Sequence, residues 1–124
     1  MSPWTIEPAR AEDWPDIAAL LQSHGLPLAG AREHLATFVV ARDDGRIVGC
    51  AGVEPHGSAI LLRSVAVAEG HRGQGLGHRM VQIILEQARL RHIESVYLLT
   101  TTAADYFRAR GFIALPRTQA PQAL

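Results

Sequence analysis

Three glycines stand at alternate positions in Arg72-Gly73-Gln74-Gly75-Leu76-Gly77. The apolar run Ala59–Val67 before them reads as a strand. Residues 76–91 after them carry Leu76, Met80, Ile84 and Ala88 at helical spacing, flanked by Val81 and Ile83. A helix start offers unpaired amides and the positive end of a dipole, which together attract an anion. Glycine lets the backbone come close to that anion and take positive φ. Arg72 adds a permanently charged fork suited to phosphate. A turn that merely reverses the chain would also use glycine; the leading arginine and the strand–helix frame favour a pyrophosphate. Two better-known loops do not fit. His78 occupies the place where a dinucleotide fingerprint needs its last glycine. A P-loop needs a lysine, and all 12 basic residues here are arginine.

The absence of lysine also excludes a Schiff base. Acidic residues number 12 as well, so the formal net charge is zero, which gives no electrostatic case for nucleic acid or a membrane surface. Cys50 is the only cysteine. An intrachain disulfide is therefore excluded, and a reducing, cytoplasmic setting is expected. At Cys50 a core role is favoured over a nucleophile. His24, His34, His71, His78 and His92 lack zinc spacing, so no metal is expected. The first residues have no basic-then-apolar leader pattern, and no apolar run nears the roughly 20 residues that span a bilayer. The 124 residues fit one domain.

The elements that position the turn follow from pattern. Thr5–Pro8 is a short strand. Asp13 is placed to cap a helix, with Asp16 in the capping-box position and Ile17, Leu20, Leu21 and His24 on one face. Gly25 ends that helix. A second short helix is expected over 31–36, then strands over 38–42 and 46–53 joined by Asp43-Asp44-Gly45. Pro55-His56-Gly57 reads as the next turn. After the glycine turn and its helix come a strand over 95–99, a helix over 103–110 and a strand over 112–115. The fold class is α/β: a mixed central sheet, antiparallel first and locally parallel later, with helices on both faces.

These residues resemble the GNAT family of N-acetyltransferases. The signature Arg/Gln-x-x-Gly-x-Gly/Ala stands at Arg72–Gly77. Leu62-Arg63-Ser64-Val65-Ala66-Val67 looks like the family's fourth strand. Ala104 with Tyr106-Phe107-Arg108-Ala109-Arg110-Gly111-Phe112 looks like its second cofactor motif. The likeness runs from about Thr5 to Leu115. It implies acetyl-CoA as co-substrate, with its pyrophosphate on Arg72, Gly73, Gln74, Gly75, Leu76 and Gly77. Backbone groups of Val65, Ala66 and Val67 would meet the pantetheine arm in a splay between two parallel strands, with Phe107 and Arg110 completing the cofactor site. An acceptor amine would attack directly, with an amide near Val65 polarising the carbonyl.

The same strand, with Val96-Tyr97-Leu98-Leu99-Thr100-Thr101-Thr102, looks like the branch that acetylates free amino acids. Gly25-Leu26-Pro27 adds a likeness to the arsenic-resistance (arsinothricin-type) acetyltransferases. Arg63 is then implied as a clamp for a substrate carboxylate; equally, its stem packs and its head is solvated or paired. Thr100 and Thr101 bind substrate or cap the next helix. A general base would help the amine, and Glu54 is the first candidate, His56 the second; the plain alternative is an exposed charge at a strand end. Phe107 stands where many members place a tyrosine acid, with Tyr106 one step earlier. After residue 115 no further strand follows, so a homodimer covering that edge is expected. The expected function is N-acetylation of a small amine. Its rivals are a non-catalytic acyl-CoA-binding module and a peptide N-acetyltransferase.

Overall fold

The computed structural model describes residues 4–98 together with 107, 108 and 113. Strand β1 (Thr5–Pro8) leads through a 3-10 turn (Ala11–Asp13) into helix α1 (Trp14–Ser23). A second 3-10 segment (Arg32–Thr37) precedes β2 (Val39–Asp43), β3 (Arg46–His56) and β4 (Ala59–Val67). A third (Glu69–His71) precedes the glycine turn, α2 (Leu76–Leu90) and β5 (Ser95–Leu98). The five strands lie in sequence order in one sheet. Neighbours from β1 to β4 are antiparallel, and β4 pairs with β5 in parallel.

Alternation along the strands feeds two apolar layers. On the face covered by α2, Val39, Ala41, Ala51, Val53, Ile60 and Leu62 pack with Leu76, Met80, Val81, Ile84 and Ala88. On the other face, Ile17, Leu20 and Leu21 of α1 meet Phe38, Val40, Cys50 and Ala66. The expected mixed sheet between helices is therefore what forms. Gly25 closes α1 in a Schellman motif: its φ is +67°, its amide bonds Gln22 O at 3.0 Å, and the Leu26 amide bonds Leu21 O at 2.9 Å. His92 does the same after α2 at φ +58°, with the Ile93 amide on Ala88 O at 2.9 Å.

Several sequence expectations change. Asp13 does not cap α1. Its carboxylate accepts from the Arg10 amide at 2.8 Å and from Arg42 Nη2 at 2.5 Å, and Arg42 Nε also reaches Glu7 at 2.5 Å. An arginine 29 residues away outcompetes the local cap. The expected helix over 31–36 is a 3-10 segment. Strand β3 runs on through Pro55 and His56, and the hairpin turns at Gly57-Ser58, with His56 opposite Ala59. Pro55 is tolerated because β2 begins opposite Ala51 and leaves that edge of β3 unpaired. The expected helix over 103–110, the strand over 112–115 and the chain end that motivated a homodimer lie outside the described residues, apart from Phe107, Arg108 and Ile113. No helix among the described residues is long and apolar enough to cross a membrane.

Two outcomes test this frame. A Cβ at Gly52 would fall within the Phe38 ring, so Gly52→Ala should cost about 1–3 kcal/mol, read as a lower urea midpoint at unchanged slope. Burial alone would raise the pKa of Asp13, but the hydrogen bonds from Arg42 and Arg10 and their charges hold it below its ordinary 3.8. Its contribution is therefore fully present above that ordinary value and is lost as pH falls below it through the lowered folded one. Asp13→Asn should cost about 1–3 kcal/mol at pH 7, and its deficit against wild type should shrink in acid.

Candidate active site

The site is organised by β4, which stops behaving as a regular strand halfway along. Its pairing with β3 jumps from Gly52↔Arg63 to Cys50↔Ala66, so Ser64 and Val65 together oppose the single residue Ala51. This is a β-bulge, and Ser64 carries it with φ at +59°. Cys50 Sγ donates to Ser64 O at 3.3 Å, and Arg63 Nε donates to Ser64 Oγ at 3.1 Å. On the other side, β5 pairs only with Ala59 through Leu62 among the described residues. Val65, Ala66 and Val67, the expected cofactor strand, lie beyond that pairing. The Val67 carbonyl also accepts from His24 Nε2 at 2.8 Å, which ties the end of α1 to β4.

Beyond β4 the chain enters the glycine turn. Gly73 and Gly75 have φ of +81° and +77°, and Gly75 is the left-handed N-cap of α2. A Cβ on either would meet nothing within 4 Å. Conformation, not crowding, therefore requires glycine there. Among the described residues no backbone carbonyl accepts from the amides of Gly73, Gln74, Gly75, Leu76 or Gly77. No acidic side chain occupies the first turn of α2. Arg72, Gly73, Gln74 and Gly75 are exposed. The result is a run of amides without a backbone acceptor among the described residues at a positive helix end, which is the chemistry an anion needs. Two contacts that the sequence did not suggest brace it. Trp4 Nε1 donates to Gln74 Oε1 at 3.2 Å, and His71 Nε2 meets Asp43 Oδ2 at 2.7 Å just before the turn.

A second cluster gathers on β3 and β4. Glu54 is in mid-strand opposite Leu61, not at a strand end. Its Oε2 is ion-paired with Arg63 Nη1. Its Oε1 lies 3.4 Å from His56 Nε2 and 4.0 Å from His34 Nε2. The His56 approach is not an aligned hydrogen bond, and that buried nitrogen has no other partner. Arg63 Nη2 reaches the Ala29 carbonyl at 2.7 Å and Pro27 O at 3.5 Å. Gly30, with φ at +78°, lies against the pair, and a Cβ there would stand 2.7 Å from Arg63 Nη1. Burial by itself would raise the pKa of Glu54. The Arg63 hydrogen bond and charge outweigh it, with a smaller contribution from the two imidazoles, and hold the carboxyl below its ordinary range.

The two candidate residues Glu54 and Arg63 are thus brought into direct contact, with His56 beside them. His34, Ala29 and Gly30 join the cluster without a sequence signal beyond Gly30 itself. Phe107 packs against the apolar layer beneath α2. Thr100, Thr101, Arg110 and Tyr106 lie outside the described residues. Burial pushes the Cys50 thiol up to about 12, so it is no nucleophile at neutral pH. Among the described residues no group of three or more His, Cys, Asp or Glu is arranged to hold a metal ion.

Known proteins share the sequence pattern and fold of this chain. An amino-acid acetyltransferase of Neisseria meningitidis is 29% identical over 95% of this chain, and the chain spans 29% of that relative's length. N-acetylglutamate synthase from Neisseria gonorrhoeae, solved with coenzyme A and N-acetyl-glutamate, superposes with a TM-score of 0.87 at 27% identity. That likeness covers 98% of this chain and 31% of the synthase. Rv2747 from Mycobacterium tuberculosis, in complex with CoA and NLQ, gives a TM-score of 0.82 at 27% identity, over 95% of this chain and 76% of that one. The Acetyltransferase (GNAT) family pattern matches residues 2–115. That match spans most of the chain, and the chain belongs to the acetyltransferase (GNAT) family.

Proposed function

We propose that this chain is an acetyl-CoA-dependent N-acetyltransferase whose acceptor is the amine of an amino acid or an amino-acid analogue. The observation that carries the reading is the run of five amides, Gly73 to Gly77, that no backbone carbonyl among the described residues engages. The residues present fit a diphosphate: left-handed glycines, a positive helix end, no acid in the first turn, and Arg72 at its lip. The coenzyme A bound by the structural neighbours is consistent with this. When bound, acetyl-CoA supplies the activated acetyl group.

The chain's own residues do the rest. Arg72 and the turn amides hold the diphosphate, and backbone groups of Val65, Ala66 and Val67 hold the arm beside the bulge. Glu54 takes the proton that the acceptor amine gives up, directly or through water, with His56 as the alternative. Arg63 orients an acceptor carboxylate, since its planar fork matches one. The names of the relatives support an amino-acid acceptor. Two apolar layers on one sheet support reading the described residues as a single domain.

One observation favours a second reading. Phe107 offers no hydroxyl where many family members use a tyrosine acid, as a non-catalytic acyl-CoA-binding module would. Acetyl-CoA binding without thiol release across a panel of amino acids would select that reading over the first.

Titration calorimetry tests the turn. Gly75→Glu places a carboxylate and a side chain unsuited to positive φ at the start of α2. It should lose acetyl-CoA binding by at least about 100-fold, whereas Gly75→Asn, which tolerates the left-handed region, should fold and bind more weakly. Unchanged affinity in Gly75→Glu means the diphosphate lies elsewhere. Steady-state kinetics tests the acceptor side. Arg63→Ala should raise KM for a carboxylate-bearing amine by roughly tenfold or more, with little change in KM for acetyl-CoA; equal effects on both would remove the clamp.

A further inference from the structure

Arg63 has five N–H donors, and most of them are engaged. Nε holds Ser64 Oγ, Nη2 holds the Ala29 carbonyl and approaches Pro27 O, and Nη1 holds Glu54. Three of these partners belong to the bulge and to the 27–30 loop, which Gly25 and the following 3-10 segment fix at either end. The fourth is different in kind. Glu54 is an anion on a rotatable side chain, and a visiting carboxylate can replace it like for like.

A landing place stands beside it. His56 Nε2 is buried and lacks an aligned partner, and it lies 3.4 Å from Glu54 Oε1. His34 Nε2 stands at 4.0 Å from the same oxygen. A buried polar nitrogen left without a hydrogen bond is costly and rare, so this one needs an explanation. A small rotation of Glu54 would satisfy it, at the expense of the bond to Arg63.

We propose that Glu54 is the resident ligand of the Arg63 fork, and that an acceptor's carboxylate displaces it toward His56, freeing it to act on the acceptor's amine. The inference rests on the acceptor chemistry proposed above and deepens it. In the resting arrangement Arg63 holds Glu54 ionised and weakly basic. In the displaced arrangement Glu54 exchanges a guanidinium for imidazoles and gains a like charge nearby, and both changes make it a better proton acceptor. The charged and titratable groups facing it are Arg63 on β4, His56 on β3 and His34 on the 3-10 segment. A carboxylate on the substrate thereby raises kcat as well as binding. An amine that lacks one leaves Glu54 locked to Arg63. Selection for amino acids over simple amines is thus built into the proton-transfer step.

Carboxylates without an amine isolate the exchange from catalysis. N-acetylglycine and glutarate are titrated into wild type, Glu54→Gln and Arg63→Gln, each first checked for folding by circular dichroism. A neutral side chain of the same size no longer competes for the fork, so Glu54→Gln should bind the better probe about tenfold more tightly than wild type. Arg63→Gln should not bind it. Equal or weaker binding in Glu54→Gln, or no binding of either probe to any form, overturns the proposal. Should a variant fail to fold, carbon-13 NMR of Glu54 in wild type decides. Its titration should move to higher pH when the probe saturates, and an unmoved titration overturns the idea. Failure of the proposed function reads differently: a protein that cannot bind acetyl-CoA loses that reading even where Glu54→Gln binds carboxylates more tightly. Acetyl transfer to amino acids without that tightening removes only the exchange.

Discussion

One irregularity in strand β4 organises much of the structure around it: Ser64 and Val65 together oppose the single residue Ala51, and this bulge divides the ladder with β3 into two registers. Before it, Ala59 to Leu62 pair on both sides; after it, Ala66 and Val67 pair with β3 alone among the described residues. A serine at positive φ costs on the order of 1–2 kcal/mol. The surroundings over-determine it, as such strain requires. Arg63 takes the serine's hydroxyl, and the buried thiol of Cys50 takes its carbonyl. His24 then fixes the strand's end by donating to Val67 O. The glycine turn begins only five residues further on, so its position relative to the sheet descends from that bulge.

The two arginine–carboxylate nodes use the same chemistry with different consequences. Around Arg42, Asp13 and Glu7 join β1, the first 3-10 turn and β2, and the Asp13 carboxylate has both its donors in place. Among the described residues that node leaves no buried side-chain nitrogen or oxygen without a hydrogen bond, and it joins three elements. Around Arg63 the arginine is equally well occupied, yet a buried imidazole nitrogen beside Glu54 is left over. Charge pairing alone therefore does not distinguish the two nodes; the buried imidazole nitrogen without an aligned hydrogen bond does.

What sequence made legible is what repeats locally. The stripe Leu76, Met80, Ile84, Ala88 became the buried face of α2, and Gly25 became the left-handed end of α1. The glycine turn was legible because its glycines are consecutive in sequence with the strand and helix they join, and Gly73 and Gly75 take the positive φ that glycine permits. Errors fell where a distant partner decided the outcome. Asp13 had a local role available as a helix cap and lost it to Arg42. Pro55 looked like a break, but its lack of an N–H matters only where a neighbouring strand needs one, and β2 does not extend that far. Ser64 and His92 take positive φ without being glycine or asparagine, so composition gave no cue.

The cluster of Glu54, Arg63 and His56 was half visible for a related reason: its members become neighbours only through register. The two-residue turn at Gly57-Ser58 sets His56 opposite Ala59, and counting back sets Glu54 opposite Leu61 and Gly52 opposite Arg63. Glu54 and Arg63 are then diagonal neighbours on one face, close enough for long side chains to meet. Gly52, directly across from Arg63, contributes no side chain, and Phe38 fills the space it leaves. A slip of one residue would send Glu54 and Arg63 to opposite faces. The extra residue of the bulge sits immediately after Arg63, so it changes the register of everything beyond without disturbing this pair. A hairpin turn and a bulge thus bracket the segment that carries this pair; moving the turn by one position, or the bulge to before Arg63, would separate the acid from the arginine.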